Sequence, residues 1–186
     1  MVTRSGWFLG VLTVGLLGTG CTPALESAVY SGNTDSVRQL LDTGADANQG
    51  GGTLLRLAAE SGQTDVARML VERGADVNAK TANGRTSLMV AAAFGQVDVV
   101  KLLLPKVTDI NAMTTEKETA LYMAVEENHP DVIEILLAAG ADPAIGEVWT
   151  LAERAGRWET ARMLRKTKPD HAAPARSTAR QGDAAS

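Results

Sequence analysis

Leu70-Val71-Glu72-Arg73-Gly74-Ala75-Asp76-Val77-Asn78 decides the fold, because the chain repeats it. Leu40-Leu41-Asp42-Thr43-Gly44-Ala45-Asp46-Ala47-Asn48 precedes it and Leu136-Leu137-Ala138-Ala139-Gly140-Ala141-Asp142 follows it. Between them lies a degenerate copy, Leu103-Leu104-Pro105-Lys106-Val107-Thr108-Asp109-Ile110-Asn111. Upstream of the later copies stand runs with small residues: Leu57-Ala58-Ala59, Val90-Ala91-Ala92 and Met123-Ala124-Val125. Gly62 to Gly95 is 33 residues, and Gly95 to Asn128 is 33 again. A fixed period of this size marks an array of stacked units rather than a single folded core.

Each unit reads as helix, tight turn, helix and extended finger. Ala58, Ala59, Ala91, Ala92 and Ala124 let neighbouring inner helices approach closely. Leu and Val at 40, 41, 66, 70, 99, 102, 103, 132, 136 and 137 recur at helical spacing and form an outer-helix core. Gly44, Gly74 and Gly140 stand where a helix end needs a left-handed residue. Asn128 takes the mid-unit place of Gly62 and Gly95, Asn being the next best residue for that conformation. Pro130 suits the first turn of a helix, where its missing N–H costs nothing. One such unit cannot bury its own face, so stacking supplies the core.

With its 33-residue period, mid-unit Gly and Gly-Ala-Asp-Val-Asn closer, the chain strongly resembles the ankyrin repeat; the closers exclude a tetratricopeptide array. The resemblance implies an all-α ankyrin-repeat solenoid, helix-turn-helix units joined by hairpin-like fingers. It covers residues 23–166: four repeats (23–48, 53–78, 86–111, 119–144) and a short C-terminal cap over 147–166. Thr53, Thr86 and Thr119 keep the family's helix-start Thr, while its Pro and His are replaced by Leu54/Arg56, Ser87/Met89 and Ala120/Tyr122. Ala24/Glu26 hold the corresponding places in the first repeat. Repeat three closes on Pro105 and Val107 instead of Gly, and a β-branched residue resists the left-handed region, so another corner is expected there. Asn48 to Thr53 is 5 residues, whereas Asn78 to Thr86 and Asn111 to Thr119 are 8, so the fingers at 79–85 and 112–118 should project furthest. Trp149 falls on an inner apolar position and reads as core.

The N-terminus has a different character. Arg4 precedes a short apolar run over residues 6–17, less than the about 20 residues that span a bilayer. Small residues follow, in the order of a secretory signal over 1–20. The chain's one cysteine comes next, and Gly18-Thr19-Gly20-Cys21 resembles the bacterial lipobox, although Gly18 stands where that family usually has Leu. The resemblance implies lipidation of Cys21 as a new N-terminus (residues 21–22). With Thr22 rather than Asp after it, it also implies sorting to the periplasmic face of the outer membrane; without lipidation the protein would be soluble in the periplasm. Residues 167–186 are rich in Ala, Pro, Arg and Ser and read as a disordered tail.

Chemistry-bearing motifs are scarce. With one cysteine no intramolecular disulfide forms. No Cys/His cluster of metal-binding spacing, nucleophile elbow or phosphate loop occurs, so neither a catalytic centre, a metal nor a cofactor is expected. His129 falls in a mid-repeat turn where the resemblance implies a turn-stabilising role. Net charge is −4, no case for nucleic acid. That charge is uneven: residues 22–153 carry nine basic and nineteen acidic side chains, and residues 154–186 eight basic and three acidic.

Ankyrin proteins dock partners on a concave face built from finger tips and exposed inner-helix residues. Carried over by position, this points to Tyr30, Glu60, Asn83, Arg85, Phe94, Glu116, Lys117, Glu118, Glu126 and Glu127. Phe94 precedes Gly95, where a small or polar residue is usual. It is either an aromatic anchor, whose loss removes about 2 kcal/mol or more of binding, or a side chain folded onto the neighbouring finger. The acidic body favours a protein partner with a basic patch. The expected function is a monomeric, lipid-anchored module that binds another protein in the cell envelope. An immunity-type inhibitor of a secreted toxin or hydrolase, or an adaptor of an envelope enzyme, are the alternatives.

Overall fold

The computed structural model describes residues 22–166; the signal, Cys21 and the tail lie outside the described residues. Ten α-helices follow one another among these residues: α1 (Thr22–Tyr30), α2 (Thr34–Asp42), α3 (Gln49–Glu60), α4 (Thr64–Glu72), α5 (Ser87–Ala93), α6 (Val97–Leu103), α7 (Ala120–Glu126), α8 (Pro130–Ala138), α9 (Val148–Arg154) and α10 (Trp158–Lys166). Odd-numbered helices stack on odd ones and even on even, each pair also packing within its repeat. The described residues contain no strand. The all-α solenoid expected from the repeat is therefore the observed fold.

Small residues make the inner row possible. Ala58, Ala59, Ala91, Ala92 and Ala124 have no exposed surface, and Leu55, Met89, Leu121 and Met123 are among the largest fully buried side chains. On the outer row Val66, Leu70, Val99, Leu103, Val132 and Leu136 are buried, while Leu40, Leu102 and Leu137 are partly buried against them. Truncating one of the fully buried leucines, Leu70, Leu103 or Leu136, to Ala would cost about 2–5 kcal/mol. Trp149 also packs, half-buried, against the core.

Local chemistry sets the helix ends. Thr86 Oγ1 accepts from Met89 N at 3.3 Å, and Thr119 Oγ1 accepts from Tyr122 N at 3.1 Å, each satisfying an orphan helix donor. Thr53 does otherwise: its hydroxyl donates to the carbonyl of Gly50 at 2.7 Å, in a turn where Gly50, Gly51 and Gly52 all have positive φ. Every outer helix carries an acidic residue in its first turn (Asp35, Asp65, Asp98, Asp131, Glu159), where the helix dipole favours it. At the other end Gly44, Gly74 and Gly140 adopt φ of 92°, 86° and 94°. Repeat three turns instead through a 3₁₀ segment, Leu104–Lys106, leaving Val107 extended at φ −75°. That is the alternative corner its Pro and Val demand. Asn128 does take the left-handed conformation, at φ 62°.

Two ladders of side chains link successive repeats. Asn48 donates to the carbonyl of Gly74 at 2.9 Å and accepts from Asp76 N at 2.7 Å. Asn78 does the same with Lys106 (3.2 Å) and Thr108 (3.0 Å), and Asn111 accepts from Asp142 N at 2.8 Å. On the turn side, Gln96 Nε2 donates to the Glu60 carbonyl at 3.2 Å, and His129 Nε2 to the Ala93 carbonyl at 2.9 Å. These rungs lie over Gly62 and Gly95, where a Cβ would come within 2.3 Å and 2.5 Å of the Gln96 and His129 side chains.

Candidate interaction surface

Inner helices expose one stripe each, and the register between repeats lines these stripes up. Counted back from the turn residues Gly32, Gly62, Gly95 and Asn128, Tyr30, Glu60 and Glu126 occupy equivalent places, and so do Phe94 and Glu127. All five are exposed, Tyr30 by 77 % and Phe94 by 52 %. Phe94 therefore stands open to solvent more than it is folded onto a neighbour. Four residues earlier, one helical turn back, the same stripes carry Glu26, Arg56 and Tyr122. Arg56 and Tyr122 belong to this face although the helix-end reading passed over them.

The fingers form the other group. In the first, Thr81 N donates to the Arg85 carbonyl at 3.0 Å and Gly84 N to the Thr81 carbonyl at 2.8 Å. The second repeats the pattern, Thr114 N to Glu118 (2.9 Å) and Lys117 N to Thr114 (3.0 Å), with Lys117 at φ 65°. Asn83, Arg85, Glu116 and Lys117 are exposed; Glu118 is half-buried and accepts from the Thr114 hydroxyl at 3.3 Å. The fingers lead into the N-terminal ends of α5 and α7, whereas Phe94 and Glu126 lie at the opposite ends. A seven-residue helix spans about 10 Å, so Phe94 sits a helix length from the finger before it.

Three of the sequence-predicted residues converge. A cleft of about 380 Å³ between the second finger and the Ile145–Glu147 turn is lined by Glu116, Lys117, Glu118, Tyr122, Glu147 and Arg154, among others. Burial raises the pKa of the Tyr122 phenol, and Glu126, Glu118, Glu116 and Glu147, in that order, raise it further. Four carboxylates thus act on one phenol, and the cleft wall itself sets Glu116, Glu118 and Glu147 against Lys117 and Arg154. Tyr30 stays apart from them, on a helix that packs mainly against α2 and α3. Met113, 47 % exposed on the second finger, was not anticipated; no periodicity marks it. Among the described residues no three His, Cys, Asp or Glu side chains converge in a manner that could hold a metal ion, and no helix is long and apolar enough to cross a membrane.

The family model for ankyrin repeats (3 copies) matches residues 10–81 and 78–146, well over half of the chain. This chain belongs to the ankyrin-repeat family. None of the curated proteins compared with it matches. Ankyrin repeats are protein-binding modules and in general non-catalytic, which fits a surface of exposed aromatic and charged side chains on a rigid stack.

Proposed function

We propose that this ankyrin stack is exported, anchored through a lipid on Cys21, and holds another protein of the cell envelope on its inner-helix face. The single observation that carries the binding half is Phe94, open to solvent at the end of an inner helix, in register with the exposed Glu127 of the next repeat. Exposed aromatic side chains ringed by charge are the usual energetic anchors of protein interfaces. The partner presents a basic patch, because residues 22–153 carry nineteen acidic side chains against nine basic ones, and complementary charge speeds encounter at low salt.

The anchoring half rests on Arg4, the apolar run over 6–17 and the lone Cys21 after Gly18-Thr19-Gly20. Diacylation supplies about 0.8 kcal/mol per buried methylene, enough for stable attachment when more than one chain is present. Feeding cells a clickable fatty acid tests it: wild-type protein takes the label and Cys21→Ser does not. Label persisting in Cys21→Ser ends the anchor reading. Capture from native envelope with wild type and Phe94→Asp tests the binding half; a bound protein equally retained by both ends that reading.

A further inference from the structure

The far end of the stack carries a second surface, of opposite sign. Each earlier helix pair is covered by the next; among the described residues nothing covers the outward side of α9 and α10. Trp158, at the start of α10, has 69 % of its surface exposed. Arg162 and Arg165 follow it at four and seven residues, one stripe of α10, while Ala161 and Leu164 on the other side are buried. Two clefts flank the indole. One, about 570 Å³, lies against Asn128 and Pro130 of the preceding repeat; the other, about 390 Å³, lies against Ala152 and Glu153 of α9. Arg157 and Arg162 line both.

Arg157 is the telling residue. It occupies the ladder position held by Gln96 and His129, each of which donates to a carbonyl of the preceding repeat. Arg157 departs from that pattern: like the Oε1 of Gln63 at the same ladder position, its Nη1 is buried and has no hydrogen-bond partner, and of the two only Arg157 carries a charge. A buried donor left unpaired is unfavourable by about 1–3 kcal/mol, more when charged, and a carboxylate is the acceptor that relieves it best. Arg165 is engaged with Glu153 at 3.4 Å, and Arg162 makes no ion pair among the described residues. An open indole, an unpaired guanidinium and a second with an orphaned nitrogen together fit a carboxylate beside an apolar side chain.

We propose that this end of the stack docks an acidic, apolar-bearing segment of a partner protein, with Trp158 as the anchor and Arg157 and Arg162 as carboxylate ligands. Two clefts either side of one ring suit a short segment that places side chains in both. Glu153 and Glu159 in the lining oppose a uniformly anionic surface but leave room for one or two spaced carboxylates. The site lies off the inner-helix face and does not depend on it.

The test displays a library of random short peptides against the whole protein, with Trp158→Ala as counter-selection, and measures a synthetic copy of a retained peptide by fluorescence anisotropy. The retained peptides should carry Asp or Glu beside Leu, Ile or Phe. Trp158→Ala should weaken the synthetic peptide at least about tenfold, Arg162→Gln several-fold, and Trp158→Phe less than Trp158→Ala. Phe94→Asp should leave it unchanged, which separates this site from the inner face. Unaltered helical circular dichroism shows that each variant is folded. Neutral or basic peptides, or binding indifferent to Trp158, overturn the proposal. So does binding of anionic phospholipid vesicles, or self-association of the protein, that is lost in Trp158→Ala, since the occupant is then a membrane or a second copy.

Discussion

Thr115 N donates to the carbonyl of Asn83 at 3.0 Å, joining the second long finger to the tip of the first. Gly84 makes this approach possible. Its φ is +81°, and a Cβ there would lie 3.0 Å from the Met113 carbonyl oxygen and 3.1 Å from Thr114 Cα. Gly84→Ala therefore loses on both counts, by about 1–2 kcal/mol from the left-handed backbone alone. Urea denaturation should show the lower midpoint, and amide exchange at Thr115 should accelerate. Unchanged exchange at Thr115 would show that the two fingers are not coupled.

Asn78 ties repeat two to repeat three through Lys106 and Thr108. Asn78→Ala removes these two bonds and a third, from the Thr108 hydroxyl at 3.2 Å, and leaves backbone groups seeking water, a loss of about 1–3 kcal/mol. Asn78→Asp keeps the acceptor and forfeits only the donor, so its thermal midpoint should fall between wild type and Asn78→Ala. Equal midpoints for all three proteins would mean that the asparagine ladder contributes nothing to the stack.

His129 and Gln96 play one role with different side chains. His129→Gln should therefore stay close to wild-type stability, while His129→Ala loses the bond to Ala93, about 0.5–1.5 kcal/mol. A glutamine variant as unstable as the alanine one would refute the equivalence.

The repeat was legible because its physics is local. Glycine after each outer helix, alanine along each inner one and Leu/Val at helical spacing announce themselves residue by residue. Val107 showed that repeat three must turn differently, although not that a 3₁₀ turn would do it. The surface was less legible. Glu116, Glu118 and Glu126 were named singly; that they gather around Tyr122 with Glu147 depends on stacking two repeats whose residues are up to 31 positions apart. Trp158 escaped notice because no repeat pattern marks an aromatic side chain at the start of an outer helix, where Thr64, Val97 and Pro130 stand in the repeats before it. The helix-end residues and the fingers were read as one patch, whereas the length of α5 separates Phe94 from the finger before it.

Tyr122 supplies a pH test of the acidic cleft. Burial and the surrounding carboxylates disfavour the phenolate, so the folded-state pKa lies above 10.0. The stability linked to this group is fully present below the unfolded pKa and is lost as pH rises through the folded one. Tyr122 should ionise later than free tyrosine in an ultraviolet titration of Tyr30→Phe, which leaves it as the one remaining tyrosine. Glu126→Gln should bring the midpoint down. An ordinary midpoint, insensitive to Glu126, would remove the carboxylate cluster from the account.

The central claim is that the inner-helix face holds a protein, and site-specific photocrosslinking in the native envelope tests it most directly. A photoreactive phenylalanine replaces Phe94, and in a second strain Arg68, exposed on the outer helix α4. The account predicts a discrete protein adduct from position 94 and none from position 68. An adduct from position 68 alone, or from neither position, would contradict it.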